Sequence, residues 1–465
     1  MSCDCCCVTL IIGSLVTIFV LRFIYRALFS QKKPDTRGYK EGWFGKGPGP
    51  TEGNATEDTS IRPFKINVPD EVLTDLKNRL ELTRFEDPLE DCKFFYGFHS
   101  KALRPLVEYW KTKYDWRQQE RMLNQFEHFK TKIEGIDVHF MHVKPVLPEG
   151  SNIKIFPLMI IHGWPGSFVE FYKLVPLLTT PSPQRNFVFE VICPSIPGYG
   201  FSESPHQKGF NGRACARVFL TLMERIGHPK FFVQGGDWGS FIANLMARYY
   251  SPRILGLHLN MFFFSLSSWD LVKYLVINFF PFLVRPEEYN IAFPMKKKIA
   301  MLMQESGYFH MQTTKPDTLG CAMSDSPAGT AAYLLEKFAA GTNPEGLKKE
   351  DGGLTEKFSH DELLTNVMMY WLNNNFTAAA RFYKENIRDI LSKRHERTPI
   401  TVPSAVALFP HEVLLYPKML LSGQMKNLVS YNIMPRGGHF AALEEPELLA
   451  DDIWNFVEIV KEKYL

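Results

Sequence analysis

The chain has 465 residues, 45% hydrophobic and 22% charged. This excludes a disordered protein and leaves room for one large domain with an insertion, or for two or three domains. A net charge of +3, with no basic stripe beyond Lys296-Lys297-Lys298, excludes nucleic acid as a partner. Of eight cysteines, four crowd the N-terminus (Cys3, Cys5, Cys6, Cys7), and Cys92, Cys193, Cys215 and Cys321 lack paired spacing, so neither a disulfide framework nor a zinc site is expected.

The first 30 residues read as a membrane anchor. Val8 to Leu21 is apolar apart from small and hydroxyl residues, and Phe23 to Phe29 extends the run around Arg22 and Arg26. From Cys5 the uncharged stretch reaches the lower limit for a span, roughly 17 residues. A cleaved signal peptide would carry positive charge before the run. Here Asp4 precedes it, and Arg22, Arg26, Lys32 and Lys33 follow. The positive-inside tendency puts the N-terminus outside and the body in the cytoplasm, with residues 8–29 in lipid.

Residues 31–154 read as a linker and a covering region. The stretch Phe44-Gly45-Lys46-Gly47-Pro48-Gly49-Pro50 has linker chemistry. Sequons at Asn54-Ala55-Thr56 and Asn375-Phe376-Thr377 are expected to report orientation through their glycosylation. Asp70 is expected to cap a helix carrying Val72, Leu73, Leu76 and Leu80 on one face, and Leu103 to Trp110 suggests another. Phe126 to Met141 reads as two strands turning at Glu134-Gly135.

Residues 155–260 carry the alternation of a parallel sheet covered on both faces. Leu158 to Ile161 is a buried strand ending in His162-Gly163-Trp164-Pro165-Gly166-Ser167, and Phe187 to Cys193 a second. Phe231 to Gln234 is a third strand, Ile254 to Leu259 a fourth, and Ala214 to Ile226 has helical periodicity. The third strand leads into Gly235-Gly236-Asp237-Trp238-Gly239-Ser240 and an amphipathic run, Phe241 to Tyr250. That is the layout of a nucleophile elbow, with glycines where a Cβ would collide and Asp237 in the place usually held by Ser. A carboxylate attacks saturated carbon and forms an alkyl ester. The residues alone also allow a Gly-rich turn whose acid merely sits near a helix N-terminus.

Residues 261–397 are aromatic, Met-rich and helical in spacing, and read as a cap roofing an apolar pocket. Residues 398–465 resume the core, with strands over Thr401 to Phe409 and Leu428 to Met434 and a helix from about Pro446 to Tyr464. The order Asp237, Glu412, His439, each just after a strand, is the nucleophile, acid, base order of the α/β-hydrolase fold. Glu444 and Glu445 stand near enough in sequence to compete with Glu412, and His411 reads as a rim residue.

The motifs His162-Gly163-Trp164-Pro165, Gly235-Gly236-Asp237-Trp238-Gly239-Ser240 and Gly437-Gly438-His439-Phe440 resemble those of microsomal epoxide hydrolases, over nearly the whole chain. The resemblance implies Asp237 as nucleophile, His439 as general base and Glu412 as its orienting acid. It also implies two cap tyrosines that donate to the epoxide oxygen, matched by Tyr308 and Tyr383. Backbone N–H groups of Trp238 and, because Pro165 has none, of Trp164 would form the oxyanion hole. The expected product is a vicinal diol, made from a hydrophobic xenobiotic or lipid epoxide and water without cofactor or metal. The resemblance also implies an endoplasmic reticulum membrane location. Three readings stay beside it: an epoxide hydrolase for a juvenile-hormone-type substrate, a haloalkane dehalogenase-like hydrolase, and a catalytically silent carrier of a hydrophobic ligand.

Overall fold

In a computed structural model the described residues are 42–49, 57–263, 268–392 and 398–465. The expected membrane span and the sequon at Asn54 lie outside them. Among the described residues no helix is long and apolar enough to cross a membrane.

Nine strands form one sheet: β1 (Arg62–Phe64), β2 (Glu127–Ile133), β3 (Ile136–Val143), β4 (Lys154–Ile161), β5 (Phe187–Pro194), β6 (Phe231–Gly235), β7 (Ile254–Leu259), β8 (Ser404–Leu408) and β9 (Leu428–Ile433). Their spatial order is β1-β2-β3-β5-β4-β6-β7-β8-β9. The pairs from β5 through β9 are parallel, and β1, β2 and β3 extend the sheet antiparallel beyond β5. The two strands read at 126–141 are therefore not a cover over the sheet; they are part of it. A period of two reveals a strand but not its partner, so the sequence left this open.

The central strands are buried on both faces and sort their side chains by parity. Leu158 and Ile160 of β4 point into one core with Phe189 and Phe232, while Met159 and Ile161 point into the other with Val233 and Ile242. The first core is closed by helix Leu174–Thr179 and the long helix Pro446–Tyr464, and the second by helices Gly212–Ile226 and Asp237–Tyr249. Between β7 and β8 the described chain is helical, and its segments Gly307–Thr314, Pro327–Thr342, His360–Trp371 and Phe376–Ser392 roof the carboxyl ends of the strands. Those ends are where ligands bind in open parallel sheets.

Two local expectations need correction. Asp70 is the first residue of helix Asp70–Glu81, not its cap; Pro69 holds the cap position, and the Asp70 carboxylate pairs with Arg117. Its influence on the helix is one of charge at the N-terminus. The second sequon cannot report orientation in the folded chain. Asn375 is buried, and its amide nitrogen donates to the Gly200 carbonyl at 2.9 Å.

Candidate active site

The turn from β6 into helix Asp237–Tyr249 is an elbow with Asp237 at φ +45°. A non-glycine residue held there is a local strain, met mostly where function over-determines the backbone. The flanking glycines make the turn possible. A Cβ at Gly235 would stand 2.5 Å from the Gly239 carbonyl, and one at Gly239 would overlap the Ile161 carbonyl oxygen. Across the gap, a Cβ at Gly163 would overlap the Asp237 carboxylate, so the loop after β4 must be bare for that carboxylate to sit where it does.

Each carboxylate oxygen of Asp237 has its own surroundings. Oδ1 accepts the Trp164 N–H at 2.7 Å, and the Trp238 N–H also hydrogen-bonds the carboxylate. The two N–H groups expected to form an oxyanion hole thus both bind the Asp237 carboxylate. Oδ2 lies 3.6 Å from His439 Nε2. Burial pushes the Asp237 carboxyl up, while the His439 charge and the two N–H donors pull it down; the net direction is upward.

His439 follows β9 in a loop clamped at both sides. Its N–H donates to the Gly341 carbonyl at 2.9 Å, and the Glu444 carboxylate accepts the Phe440 N–H at 2.9 Å. His439 Nδ1 stands 2.7 Å from Glu412 Oε1. Of the three acids near in sequence, this assigns the partner to Glu412, since Glu445 pairs with Lys357 and Arg436 instead. His411, expected on the rim, is half-buried and does not line the chamber. Burial alone would lower the His439 pKa. The charges of Glu412, Asp237 and Glu170 outweigh it and carry the pKa up to about 10, so the resting imidazole is protonated.

The cap brings both expected tyrosines to the same place. Tyr308, on helix Gly307–Thr314, stacks on the Trp164 indole at 4.9 Å, and Tyr383, on helix Phe376–Ser392, meets Trp238 edge-on at 4.7 Å. Their rings are 6.1 Å apart at 82°, and the side chains interact with each other. Burial holds both phenols above their usual range, so each keeps its proton and remains a donor. Asp237, His439, Tyr308 and Tyr383 all line a cavity of about 130 Å³, walled by apolar side chains such as Phe241, Met261, Phe263 and Leu302. The chamber suits a small apolar molecule with one polar point.

Behind Asp237 lies a second, smaller space of about 20 Å³, which the sequence analysis did not foresee. Glu170, Gln234 and Asn260 line it together with Asp237 and His439. Glu170 had a signal in the sequence, because Ser167 and Glu170 form the S-x-x-E pattern of a capping box, and that box is present. Gln234 and Asn260 had none beyond their places at strand ends.

Known proteins share these features. Residues 61–171 match the family model described as the N terminus of epoxide hydrolase, and residues 157–282 match the alpha/beta hydrolase fold. Epoxide hydrolase 1 of Sus scrofa is 48% identical over 452 residues, covering 96% of this chain and 98% of that protein. Juvenile hormone epoxide hydrolase 1 of Ctenocephalides felis is 43% identical over 462 residues, 99% of this chain and 97% of that one. The crystal structure of juvenile hormone epoxide hydrolase from Bombyx mori superposes with a TM-score of 0.87 at 39% identity, covering 92% of this chain and 99% of that one. A carboxylate elbow under a capped parallel sheet, in a chain that aligns with these proteins over nearly its full length, leaves one conclusion: the chain belongs to the epoxide hydrolase family, on the α/β-hydrolase fold.

Proposed function

We propose that this epoxide hydrolase converts apolar epoxides to vicinal diols through a covalent ester on Asp237. The observation that carries the reading is the split environment of the Asp237 carboxylate. Oδ1 rests on the Trp164 N–H, with the Trp238 N–H also on the carboxylate, while Oδ2 lies 3.6 Å from His439 Nε2 in a chamber that the tyrosine pair lines.

In the first step an Asp237 oxygen attacks a ring carbon and the C–O bond of the epoxide opens. Tyr308 and Tyr383 donate to the oxygen as charge builds on it, in a water-poor chamber where such donors count most, and the alkoxide is protonated through them at the expense of the His439 proton, which leaves the imidazole neutral. In the second step His439, oriented by Glu412, takes a proton from water, and the resulting hydroxide attacks the ester carbonyl. Trp164 and Trp238 N–H groups hold the oxyanion, the alkyl oxygen departs with a proton from His439, and the carboxyl left on Asp237 gives the water's second proton to His439, restoring the resting pair.

Forming the ester removes the Asp237 charge, one of the three that hold His439 protonated. The first step therefore lowers the His439 pKa just when a free base is required.

The chamber is suited to xenobiotic or lipid epoxides, and kinship to the juvenile hormone enzymes keeps a terpenoid epoxide as a second substrate class. Residues 8–29 would tether the enzyme to the endoplasmic reticulum membrane with its body in the cytoplasm, on the strength of the apolar run and the basic residues that follow it.

The test is intact-protein mass spectrometry of His439→Ala after incubation with styrene oxide. The protein should gain the mass of one substrate, and Asp237→Ala should gain none. An inactive His439→Ala that stays unmodified would overturn the mechanism. Chloride release from haloalkanes without diol formation from epoxides would favour the dehalogenase reading.

A further inference from the structure

We propose that Glu170 positions the hydrolytic water, which waits in the small space behind Asp237 and does not enter through the substrate chamber. The proposal rests on the ester mechanism above. It starts from a problem of room. Once the ester forms, the alkyl group fills the apolar chamber, and water must reach the ester carbon from elsewhere. The space behind Asp237, about 20 Å³, is the volume of one water. Its wall is mixed, with apolar side chains such as Phe171 and Leu449 beside the polar groups of Glu170, Gln234, Asn260, Asp237 and His439. A water needs such partners to stay in an enclosed site.

Glu170 is held with its carboxylate at that wall. Its Oε1 accepts the Ser167 N–H at 3.0 Å. Ser167 in turn is fixed from the cap side, where its hydroxyl pairs with Asn366 Oδ1 at 2.8 Å. The carboxylate lies where a side chain at position 166 would begin, since a Cβ on Gly166 would overlap Oε1. Glycine at 166 is thus what lets Glu170 reach inward. Although deep in the protein, Glu170 is not fully covered by its neighbours. It acts electrostatically on both His439 and Asp237, which places all three in one field. Burial raises its pKa to about 8, with Asp237 adding to the rise and His439 opposing it.

A water in this space would direct one O–H to His439 Nε2, the other to the second oxygen of Glu170, and a lone pair to the Asp237 carbonyl carbon. When the water attacks, its proton goes to His439. The bond between carbonyl carbon and alkyl oxygen breaks, and the same proton leaves on that oxygen. Glu170 fills this role in its ionised form, present as pH rises through about 8, and then accepts a hydrogen bond throughout and gains no proton.

The test is Glu170→Gln in the full chain, with the two chemical steps timed separately by rapid quench and mass spectrometry on styrene oxide. Glutamine can still accept the Ser167 N–H but presents a donor to the water. Alkylation should stay within about twofold of the parent, while ester hydrolysis should slow about 10- to 100-fold, so that kcat and KM fall together and the ester accumulates. Glu170→Ala should show the same split, with hydrolysis partly restored by added formate. Should the Gln variant not fold, Glu170→Asp, whose carboxylate withdraws from the space, should give the same pattern. Equal slowing of both steps, or no slowing of hydrolysis, would overturn the role of Glu170 alone. Absence of any ester in His439→Ala would overturn the mechanism beneath it.

Discussion

Glu412 gives His439 a single oxygen: Oε1 stands 2.7 Å from Nδ1 and also accepts the Val413 N–H at 2.6 Å, while Oε2 is buried and without a partner among the described residues. Among the described residues this carboxylate pairs with no cation besides the imidazole. Glu412→Gln keeps the shape and removes the charge. Hydrolysis of the ester should fall about 10²- to 10⁴-fold. Alkylation should change far less, which single-turnover quench experiments would show as a persistent ester.

The protonation of His439 predicts two pH effects of different origin. In the resting enzyme Glu412, Asp237 and Glu170 hold its pKa near 10, whereas in the ester the Asp237 contribution is gone. The hydrolysis rate should rise with pH through an apparent pKa below that of the free enzyme, measured by quenching pre-formed ester at each pH. For stability, the folded value lies above the ordinary 6.5, so the stabilising contribution is complete below about pH 6.5 and lost as pH rises toward 10. Denaturant titrations should show that His439→Gln flattens this alkaline loss.

On the proposed mechanism Tyr308 and Tyr383 act on ring opening alone. Each Tyr→Phe change should slow alkylation about 10- to 100-fold, and the double change more than either, because the alkoxide would form without a donor. The rate of ester hydrolysis should be unaffected. A hydrolysis defect of equal size would mean that the tyrosines are cap packing and nothing more.

The bare backbone around Asp237 allows a contrast between two alanines. Gly239→Ala forces a methyl onto the Ile161 carbonyl, inside the junction of sheet and elbow helix, and should destabilise the fold by about 3 kcal/mol or more. Gly163→Ala crowds the Asp237 side chain itself. It should leave thermal unfolding nearer the parent while abolishing alkylation. Calorimetry beside the mass shift separates the two.

Legibility varied with how local the cause was. The elbow could be read because steric demand at Gly235 and Gly239 is written into five adjacent residues, and His439 because it follows a strand late in the chain. Glu412 needed the structure to separate it from Glu444 and Glu445, which differ in partner and not in chemistry. Tyr308 and Tyr383 came only through family resemblance, since nothing in helical spacing tells a donor tyrosine from a packed one. The joining of β1–β3 to the main sheet was hidden because strand pairing is a long-range choice. Glu170 was in plain sight as half of a capping box, and that local duty concealed where its second oxygen goes.

The glycines under Asp237 have a final consequence for how such an enzyme can change its diet. Around Asp237 the main chain is packed to contact, so positions 163, 235 and 239 take no side chain without breaking the chemistry. The roof carries interchangeable apolar side chains, including Met301 and Leu302 on helix Met295–Glu305. Selectivity can therefore drift or be engineered from above while the reacting machinery below stays frozen. Libraries aimed at new substrates should spare the floor and randomise the ceiling.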